Sequence, residues 1–260
     1  MVRDEADIIA ATLHHMVAEG VDGIVIADNR STDGTRALIE GVADRVPVPV
    51  VLVDDPEIGY YQSRKMTALA RRAADLGASW IVPFDADEIW YADSDKNLAD
   101  VLRSQDPAVT TVRATLLNHY ETAFDADEGV PFRAMVYRKS EPGALPKVAF
   151  RWHDDAVIGQ GNHSVDVPGD VSTSTAGVAL RHFAYRGADH FVRKARNGYE
   201  AYLATDLGPN VGAHWRQYGE TLERSGEEAL RAHYAAWFRF DYPADAGMVW
   251  DPAPFMRVRG

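Results

Sequence analysis

A strand, a polar turn and a helix follow one another at residues 23–43, whose sequence is GIVIADNRSTDGTRALIEGVA. The apolar run at 23–27 is typical of a buried strand, the Asp, Asn, Ser and Gly residues after it are typical of a turn, and the final part predicts a helix. Strands at 48–53 and 80–84, separated by a helix at 61–76, repeat this order. Because strands that alternate with helices at this spacing form parallel sheets, the first hundred residues predict an α/β fold.

Outside this unit the pattern changes twice. Apolar residues at helical spacing from Ile9 to Val17 predict a helix ahead of the first strand. Strand-like runs predominate later, at 109–117, 132–137 and 178–185. Helices return after Gly187, and the tail from Pro243 has the composition of a loop. We therefore predict one domain over 1–186 and a helical carboxyl-terminal extension over 187–260, packed on it.

Composition excludes several classes of protein. The 260 residues carry 39 acidic and 27 basic side chains, a formal net charge of −12, and no cysteine. A protein that binds a phosphate backbone needs a concentrated basic surface, so nucleic acid is not expected as a partner. Without cysteine there are neither disulfides nor thiolate metal ligands. The acidic amino terminus and the short apolar runs predict a cytoplasmic protein without a leader or a transmembrane segment.

The sharpest local motif is Phe-Asp-Ala-Asp-Glu at 84–88, directly after an apolar strand. Carboxylates at the carboxyl end of a strand can hold a divalent cation against a diphosphate, because such cations prefer oxygen ligands. The bare Asp-x-Asp spacing is not specific, since roughly two or three such pairs are expected by chance in a chain so rich in aspartate. The same pentamer recurs at 124–128 between polar segments. Context therefore favours the first copy as the functional one and the second as a solvated loop.

The turn after the first strand allows two interpretations. Asp28 and Asn29 lie at the carboxyl end of that strand, where α/β sheets bind ligands. Ser31 or Asp33 could instead serve only as the amino-terminal cap of the next helix, a role that such residues fill routinely. On the turn alone, the structural interpretation is the more frequent one.

Three segments taken together resemble successive motifs of family 2 glycosyltransferases with the GT-A fold. They are Arg3-Asp4-Glu5-Ala6-Asp7-Ile8, then Asp28-Asn29-x-Ser31-x-Asp33-Gly34-Thr35, then Phe84-Asp85-Ala86-Asp87-Glu88. Their order and spacing agree with the family over about residues 2–91. The resemblance implies a GT-A-like, Rossmann-type mixed sheet that binds a nucleotide-sugar donor, with the helical extension on the acceptor side.

The resemblance also implies roles for individual residues. Positions equivalent to Arg3 and Glu5 lie by the nucleotide, that of Asp28 contacts the base, and that of Asp87 binds a metal on the diphosphate. Lys65 falls where the family's donor-contacting helix begins, although a solvated helix lysine is an equal alternative. The implied donor-binding set is Arg3, Glu5, Asp28, Asn29, Lys65, Asp85 and Ala86. The implied metal is Mn²⁺ or Mg²⁺, with ligands from Asp87, Asp85 and His163.

Two later histidines resemble the family's histidine-containing segments. His163 and His182 are candidates to complete the metal shell or to contact a phosphate, and the alternative is a hydrogen-bonded structural histidine. An inverting transfer also needs a general base that accepts the proton of the acceptor hydroxyl. The candidates, which spacing does not separate, are Asp154, Asp155, Glu128 and His163. Of these we prefer the two aspartates.

One element of the family fold has no counterpart in this sequence. A strand normally ends just before the position of Arg3, and no apolar run precedes that residue here. An absent central strand would leave backbone groups of its neighbours without partners. We expect either that the start codon lies upstream, which we favour, or that the fold tolerates the loss.

The sequence therefore predicts a metal-dependent glycosyltransferase that moves a sugar, with inversion, from a nucleotide diphosphate to an acceptor hydroxyl. UDP is the nucleotide that the family resemblance implies, and a glycan, a lipid-linked sugar or a small molecule is the expected acceptor. Aromatic residues suit sugar stacking, and Trp215, Tyr218 and Trp250 are candidates. The alternatives are a haloacid-dehalogenase-like phosphatase, which also uses Asp-x-Asp after a strand, and a catalytically silent sugar- or partner-binding module. A nucleotidyltransferase is disfavoured because its glycine-rich, lysine-bearing opening loop is absent.

Overall fold

The computed structural model describes residues 1–125, 129–169, 171–175 and 177–252. The helices in these ranges are α1 (Ile9–Ala18), α2 (Thr35–Ala43), α3 (Gln62–Asp75), α4 (Leu98–Arg103), α5 (Pro131–Ala134), α6 (Ala188–Leu203) and α7 (Ala213–Trp237). The strands in the same ranges are β1 (Ile24–Asp28), β2 (Val50–Asp54), β3 (Trp80–Ile81), β4 (Glu88–Ala92), β5 (Val109–Asn118), β6 (Glu121–Thr122), β7 (Tyr137–Lys139), β8 (Lys147–Arg151), β9 (Val157–Ile158), β10 (Val165–Asp166), β11 (Ser172–Ser174), β12 (Val178–His182), β13 (Arg239–Phe240) and β14 (Met248–Trp250). The protein thus has the α/β architecture that the sequence predicts.

The agreement is close in the amino-terminal half and weaker beyond it. The helix predicted from Thr35 coincides with α2, but the strand predicted at 80–84 stops at Ile81, because Pro83 cannot donate to a neighbouring strand. The strand predicted at 132–137 is wrong in part: Pro131 occupies the first turn of α5, where its missing N–H costs nothing. The loop predicted after Pro243 is also wrong in part, since β14 forms there by pairing with β7.

Parallel and antiparallel pairs coexist in the sheet structure, so it is mixed. β1 pairs with β2 in parallel, and a separate six-stranded sheet has the order β3-β8-β5-β12-β4, with β11 paired to β5. Within it β12 runs parallel to β5 and antiparallel to β4. This antiparallel pairing sets His182, the last residue of β12, opposite Glu88, the first residue of β4. The polar motif before β4 is thereby brought to the end of a strand that lies ninety residues later.

The main core packs α1 against the sheet. Ile9, Leu13 and Met16, the predicted apolar face of α1, are all fully buried, as is Trp90 on β4. Burial of each such side chain stabilises the fold by about 1.5–3 kcal/mol relative to exposure. The hydroxyl of Thr12 on the same helix donates to the carbonyl of Ala86, 2.7 Å away. The core helix therefore also holds the loop that carries the Asp-x-Asp motif.

An apolar cavity of about 330 Å³ separates β1 from β3. Val2 forms a parallel bridge with Asp28 at the end of β1. Apart from that bridge, the edge of β1 that faces away from β2 has no strand partner within the described ranges. The slot between these two strands is thus lined by side chains and not filled by a strand of the described chain.

The two carboxyl-terminal helices pack on each other, and α6 also contacts the amino-terminal motif. Gly219 of α7 lies so close to the ring of Tyr199 that an added Cβ would be 1.9 Å from it, so only glycine permits this contact. α7 is interrupted at Gly226, where φ is +77°. In the described ranges, every helix is too short or too polar to cross a bilayer.

Candidate functional site

A cavity of about 380 Å³ opens at the loop between β3 and β4. Its lining comes mainly from the amino-terminal residues 1–5, the motif residues 85–87, the segment 182–185 and the carboxyl-terminal helices. Its ionisable and aromatic lining includes Arg3, Glu5, Tyr60, Asp85, Asp87, His163, His182, His190, Arg193, Lys194, Tyr202, His214 and Trp215. A largely apolar cavity with convergent charged groups has the make-up of a small-molecule site.

Asp85 is held by the protein itself. Its Oδ2 accepts from the Lys147 ammonium at 2.8 Å, and its Oδ1 accepts from the amides of Gln62 at 3.3 Å and Asn162 at 3.2 Å. Burial works to raise the pKa of Asp85, and the Lys147 charge more than offsets it, so that the pKa is lowered. Both carboxylate oxygens are therefore engaged, which leaves Asp85 poorly suited to the predicted role of metal ligand.

Glu88 shares the same lysine deep in the fold. Its side chain is fully buried, and the Lys147 ammonium lies 2.5 Å from Glu88 Oε1. Burial raises the pKa of Glu88 to about 8, and the Coulomb attraction of Lys147 opposes that shift, while the nearby charges of Asp85 and Asp87 add to it. Asp85, Glu88 and Lys147 thus form a polar cluster, in which one ammonium serves two carboxyl groups. Glu88 and Lys147 are buried, whereas the Asp85 side chain is 25% exposed.

Asp87, two residues after Asp85, faces the cavity. Its backbone carbonyl accepts from the N–H of Phe183 at 2.9 Å, which extends the β4–β12 pairing and fixes the loop. Its Oδ2 lies 2.5 Å from Lys194 Nζ, 3.8 Å from His182 Nε2 and 3.9 Å from Arg186 Nη1. Asp87 is therefore a carboxylate at the meeting point of β12, the following loop and α6.

His182 presents a lone pair towards Asp87. Its Nδ1 lies 2.9 Å from Asn118 Oδ1 on β5, and because that oxygen only accepts, Nδ1 carries the proton. Burial lowers the pKa of His182 to about 4, although the charge of Asp87 acts in the opposite direction. The ring is therefore neutral at pH 7, with Nε2 free to bind a cation.

Arg186 ties the amino-terminal motif to the site. Its buried guanidinium donates to Asp7 Oδ2 at 2.6 Å and also to the Glu5 carboxylate. Burial disfavours the Glu5 carboxylate, but Lys194 and Arg186 dominate, so the pKa of Glu5 lies well below its ordinary value. Glu5 is thus a buried anion with its own cations, at the wall of the cavity.

The other donor-binding candidates divide into two groups. Arg3, Glu5, Asn29, Asp85 and Ala86 line the cavity. Asp28 accepts from the backbone N–H of Ser31 at 3.3 Å and Lys65 donates to Asp55 Oδ2 at 2.7 Å, and neither residue is part of the cavity lining. The structure thus brings five of the seven implied residues to one cavity and gives the other two local partners.

The predicted bases lie in different places. Asp154 follows β8, whose first residue Lys147 contacts Asp85 and whose last residue Arg151 donates to the Val109 carbonyl at the far end of β5. A strand of this length spans about 13 Å, so Asp154 and the adjacent Asp155 lie at the opposite end of the sheet from the cavity. They are correspondingly exposed. The preference for these two aspartates is therefore not supported by the structure.

His163 lies at the cavity, whereas Glu128 lies outside the described residues. The Nδ1 of His163 is 2.9 Å from the Pro146 carbonyl, so Nδ1 carries the proton and Nε2 can accept one. The ring packs over Gly161, where an added Cβ would lie 2.5 Å from it and where φ is +74°. Burial lowers the pKa of His163, which keeps the imidazole neutral.

Sequence reasoning missed the contribution of α6. Lys194 contacts Asp87, Asn197 Nδ2 donates to Asp4 Oδ2 at 2.8 Å, and Glu200 accepts from Arg3 at 3.3 Å. These polar residues recur every three or four positions along one helix face, a spacing that marks a second functional face opposite the apolar one. Trp215, one of the aromatic candidates, lines the cavity, whereas Trp250 is exposed on β14.

The residues present fit a divalent cation in part. Asp87 Oδ2 and His182 Nε2 face one another 3.8 Å apart, and Asn118 orients the imidazole as a second layer of support. In the described chain, no three ionisable ligands converge as a metal group. A cation held here would therefore need further oxygen ligands from a bound molecule, and the phosphates of a nucleotide are of that kind.

Comparisons with known proteins bear on the family and the fold of the chain. Residues 1–159 match the profile of glycosyl transferase family 2. No curated protein matches the chain. The match covers more than half of the chain and, together with the mixed sheet, confirms the predicted GT-A-like fold class.

Two solved structures are similar to the chain at low sequence identity. The structure of mannosyltransferase PcManGT from Pyrobaculum calidifontis in complex with GDP-Man and Mn²⁺ is 17% identical, with a TM-score of 0.45, over 94% of this chain and 75% of that one. The structure of S. aureus TarS 1–349 in complex with UDP is 13% identical, with a TM-score of 0.40, over 90% of this chain and 72% of that one.

Proposed function

The chain belongs to glycosyl transferase family 2 and is a glycosyltransferase, and from this premise we propose that it transfers a sugar from a nucleotide-diphosphate donor to an acceptor hydroxyl, with inversion and with a divalent cation. Membership of this family excludes the alternative of a haloacid-dehalogenase-like phosphatase. The observation that supports the proposal is the pair of lone-pair donors, Asp87 Oδ2 and His182 Nε2, that face each other at the wall of the cavity.

Donor binding follows from the charges around that pair. Arg3, Arg193 and Lys194 line the cavity and supply positive charge for a diphosphate. Two nitrogens of Arg3, Nε and Nη1, are buried without a hydrogen-bond partner in the described chain, so a phosphate oxygen would satisfy them. Tyr60 and Tyr202, with ring centroids 5.3 Å apart, give the same cavity an aromatic wall that suits the base or the sugar.

Asp87 and His182 would hold the cation, Mn²⁺ or Mg²⁺. When bound, that cation neutralises charge on the departing diphosphate. The part played by the chain is to keep both ligands in place, through the Phe183 N–H for the loop of Asp87 and through Asn118 for the imidazole. Asp85 has a structural role, because Lys147, Gln62 and Asn162 already occupy its oxygens.

His163 is the general base of this proposal. Its protonated Nδ1 is fixed on the Pro146 carbonyl, so Nε2 accepts the proton of the acceptor hydroxyl as that oxygen attacks the anomeric carbon. The lowered pKa of His163 favours the neutral ring that this step requires. Inversion then follows from a single displacement, with the diphosphate as the leaving group on the opposite face of the sugar.

UDP is the nucleotide we propose first, on the basis of the family resemblance, and the test does not presuppose it. Thermal unfolding is followed with UDP, GDP, dTDP or no nucleotide, each with Mn²⁺ or with EDTA. A ligand at a hundred times its dissociation constant adds about 2.7 kcal/mol, which is several degrees for a chain of this size. A shift with one nucleotide that disappears in EDTA supports the proposal and identifies the donor class. No shift with any nucleotide contradicts it.

A further inference from the structure

Lys194 occupies the oxygen at which a cation would bind. Its ammonium lies 2.5 Å from Asp87 Oδ2, the same oxygen that faces His182 Nε2. A lysine therefore compensates the charge of the proposed metal ligand.

The same ammonium has other partners within reach. Lys194 Nζ donates to the carbonyl of Ala184 at 3.1 Å and lies 3.5 Å from Glu5 Oε1. Its side chain is 23% exposed, whereas the side chain of Arg186, the other cation near Asp87, is only 2% exposed and is fastened to Asp7. A lysine on a flexible four-carbon stem can therefore leave Asp87 without losing all of its compensation, and Arg186 cannot.

Electrostatic repulsion prevents the Lys194 ammonium and a divalent metal ion from binding Asp87 Oδ2 at the same time. An ammonium at hydrogen-bond distance and a divalent ion on the same carboxylate oxygen repel each other, and the repulsion is strong where water is scarce. A diphosphate changes this balance, because its negative charge offers the displaced ammonium a new partner and gives the metal further oxygen ligands.

We propose that Lys194 is a built-in competitor of the divalent cation at Asp87, so that the metal binds together with the diphosphate and not ahead of it. The second half of this statement rests on the proposed function, because the diphosphate is that of the donor. The first half concerns only Lys194, Asp87 and the metal. Lys194 thereby couples the binding of the metal to that of the diphosphate, and each ligand must raise the affinity for the other by the same factor.

The test is a titration of Mn²⁺ without nucleotide, in which the electron paramagnetic resonance signal of free Mn²⁺ reports binding. Lys194→Met is expected to bind Mn²⁺ at least about tenfold more tightly than the wild type. Lys194→Arg, which keeps the charge, is expected to bind weakly, as the wild type does. Lys96→Met is the matched control, since it removes an exposed lysine ahead of α4 and leaves the site untouched.

A second arm repeats the titration with UDP, or with the nucleotide that the unfolding screen selects. UDP should tighten Mn²⁺ binding more in the wild type than in Lys194→Met, by the factor that separates the two proteins without nucleotide. Lys194→Gln is measured in parallel in case the methionine variant does not fold. Equal Mn²⁺ affinity in the wild type and a folded neutral variant would overturn the proposal. Failure of every nucleotide to bind would contradict the proposed function instead, and the titration with metal alone would still decide the role of Lys194.

Discussion

Asp85 and Asp87 are two residues apart in one motif, yet the fold gives them opposite surroundings. Asp85 lies on the side of Lys147, Gln62 and Asn162, and every one of its oxygens is used within the protein. Asp87 lies on the side of His182 and Lys194, at the wall of the cavity. The difference teaches that an Asp-x-Asp spacing does not by itself make both carboxylates ligands. One aspartate fastens the loop, and the other is presented to a ligand.

The largest effect is expected on the Asp85 side. Lys147→Met should lower the free energy of unfolding by about 3–5 kcal/mol, because the fully buried Glu88 and the neighbouring Asp85 carboxylate would both lose the ammonium that serves them. Chemical denaturation measures this, with Lys96→Met as the control, for which a change within about 0.5 kcal/mol is expected. Equal stability of the two variants would show that the cluster of Asp85, Glu88 and Lys147 does not fasten the loop.

On the Asp87 side the loss should be of binding and not of stability. Asp87→Asn should unfold within about 1 kcal/mol of the wild type, since Lys194 retains Glu5 as a partner. It should nevertheless lose the nucleotide-dependent stabilisation in Mn²⁺, about 2.7 kcal/mol at a hundred times the dissociation constant. Thermal unfolding with and without nucleotide measures both quantities. A nucleotide shift that persists in Asp87→Asn would remove the distinction between the two aspartates.

The orientation of His182 can be tested by a smaller change. Asn118→Ala removes the acceptor of the Nδ1 proton and should weaken Mn²⁺ binding in the presence of nucleotide about tenfold, or about 1.4 kcal/mol. Isothermal titration measures the affinity, and His182→Gln provides the upper limit of the effect. An Asn118→Ala protein that binds Mn²⁺ as the wild type does would mean that the imidazole is not a ligand.

Glu88, the fully buried carboxyl group beside Lys147, predicts a pH dependence of stability. Its pKa in the folded protein is about 8, above its ordinary value of 4.5, so the folded state holds the proton more tightly than the unfolded state. The stability that this group contributes is therefore complete below pH 4.5 and is lost as the pH rises to 8. The difference in unfolding free energy between wild type and Glu88→Gln should fall by on the order of 1 kcal/mol per pH unit across that window. A difference independent of pH would contradict the assignment.

The two candidate bases should differ, and the smallest effect is expected at Asp154, far from Asp85 and Asp87. Asp154→Asn should leave nucleotide release from the donor within about twofold of the wild type, because the residue lies at the opposite end of the sheet. His163→Gln should slow turnover by about a hundredfold or more, with nucleotide binding unchanged. A large loss in Asp154→Asn would return the base to the position that the sequence favours.

Sequence patterns predict local structure here better than they predict the site. The period of the apolar residues in α1 and the polar turn before α2 are local properties, and both elements lie where predicted. The motif at 84–88 is also local, and it does line the cavity in part. The sequence makes His182 a candidate, but its place beside Asp87 depends on the pairing of β4 with β12, which no short segment encodes.

Lys194 is a residue of the site that the sequence does not predict. In the sequence it is one lysine of an amphipathic helix, and a solvated helix lysine is the usual interpretation of such a residue. Only the packing of α6 across the amino-terminal motif brings its ammonium to Asp87. Asp154 is the converse case. With Asp155 it forms a pair of carboxylates after a strand, which is typical of a catalytic site, but the pair lies at the end of the sheet opposite the cavity.

The central claim is that Asp87 and His182 hold the cation that meets the donor diphosphate. Pulsed electron paramagnetic resonance on the Mn²⁺ complex with UDP, or with the nucleotide selected by the screen, tests it directly, because a histidine ligand gives a ¹⁴N coupling to the manganese. We predict a ¹⁴N coupling together with a ³¹P coupling in the wild type, and loss of the nitrogen signal in His182→Gln. A manganese ion with only oxygen ligands, or a nitrogen coupling that survives in His182→Gln, would contradict the account.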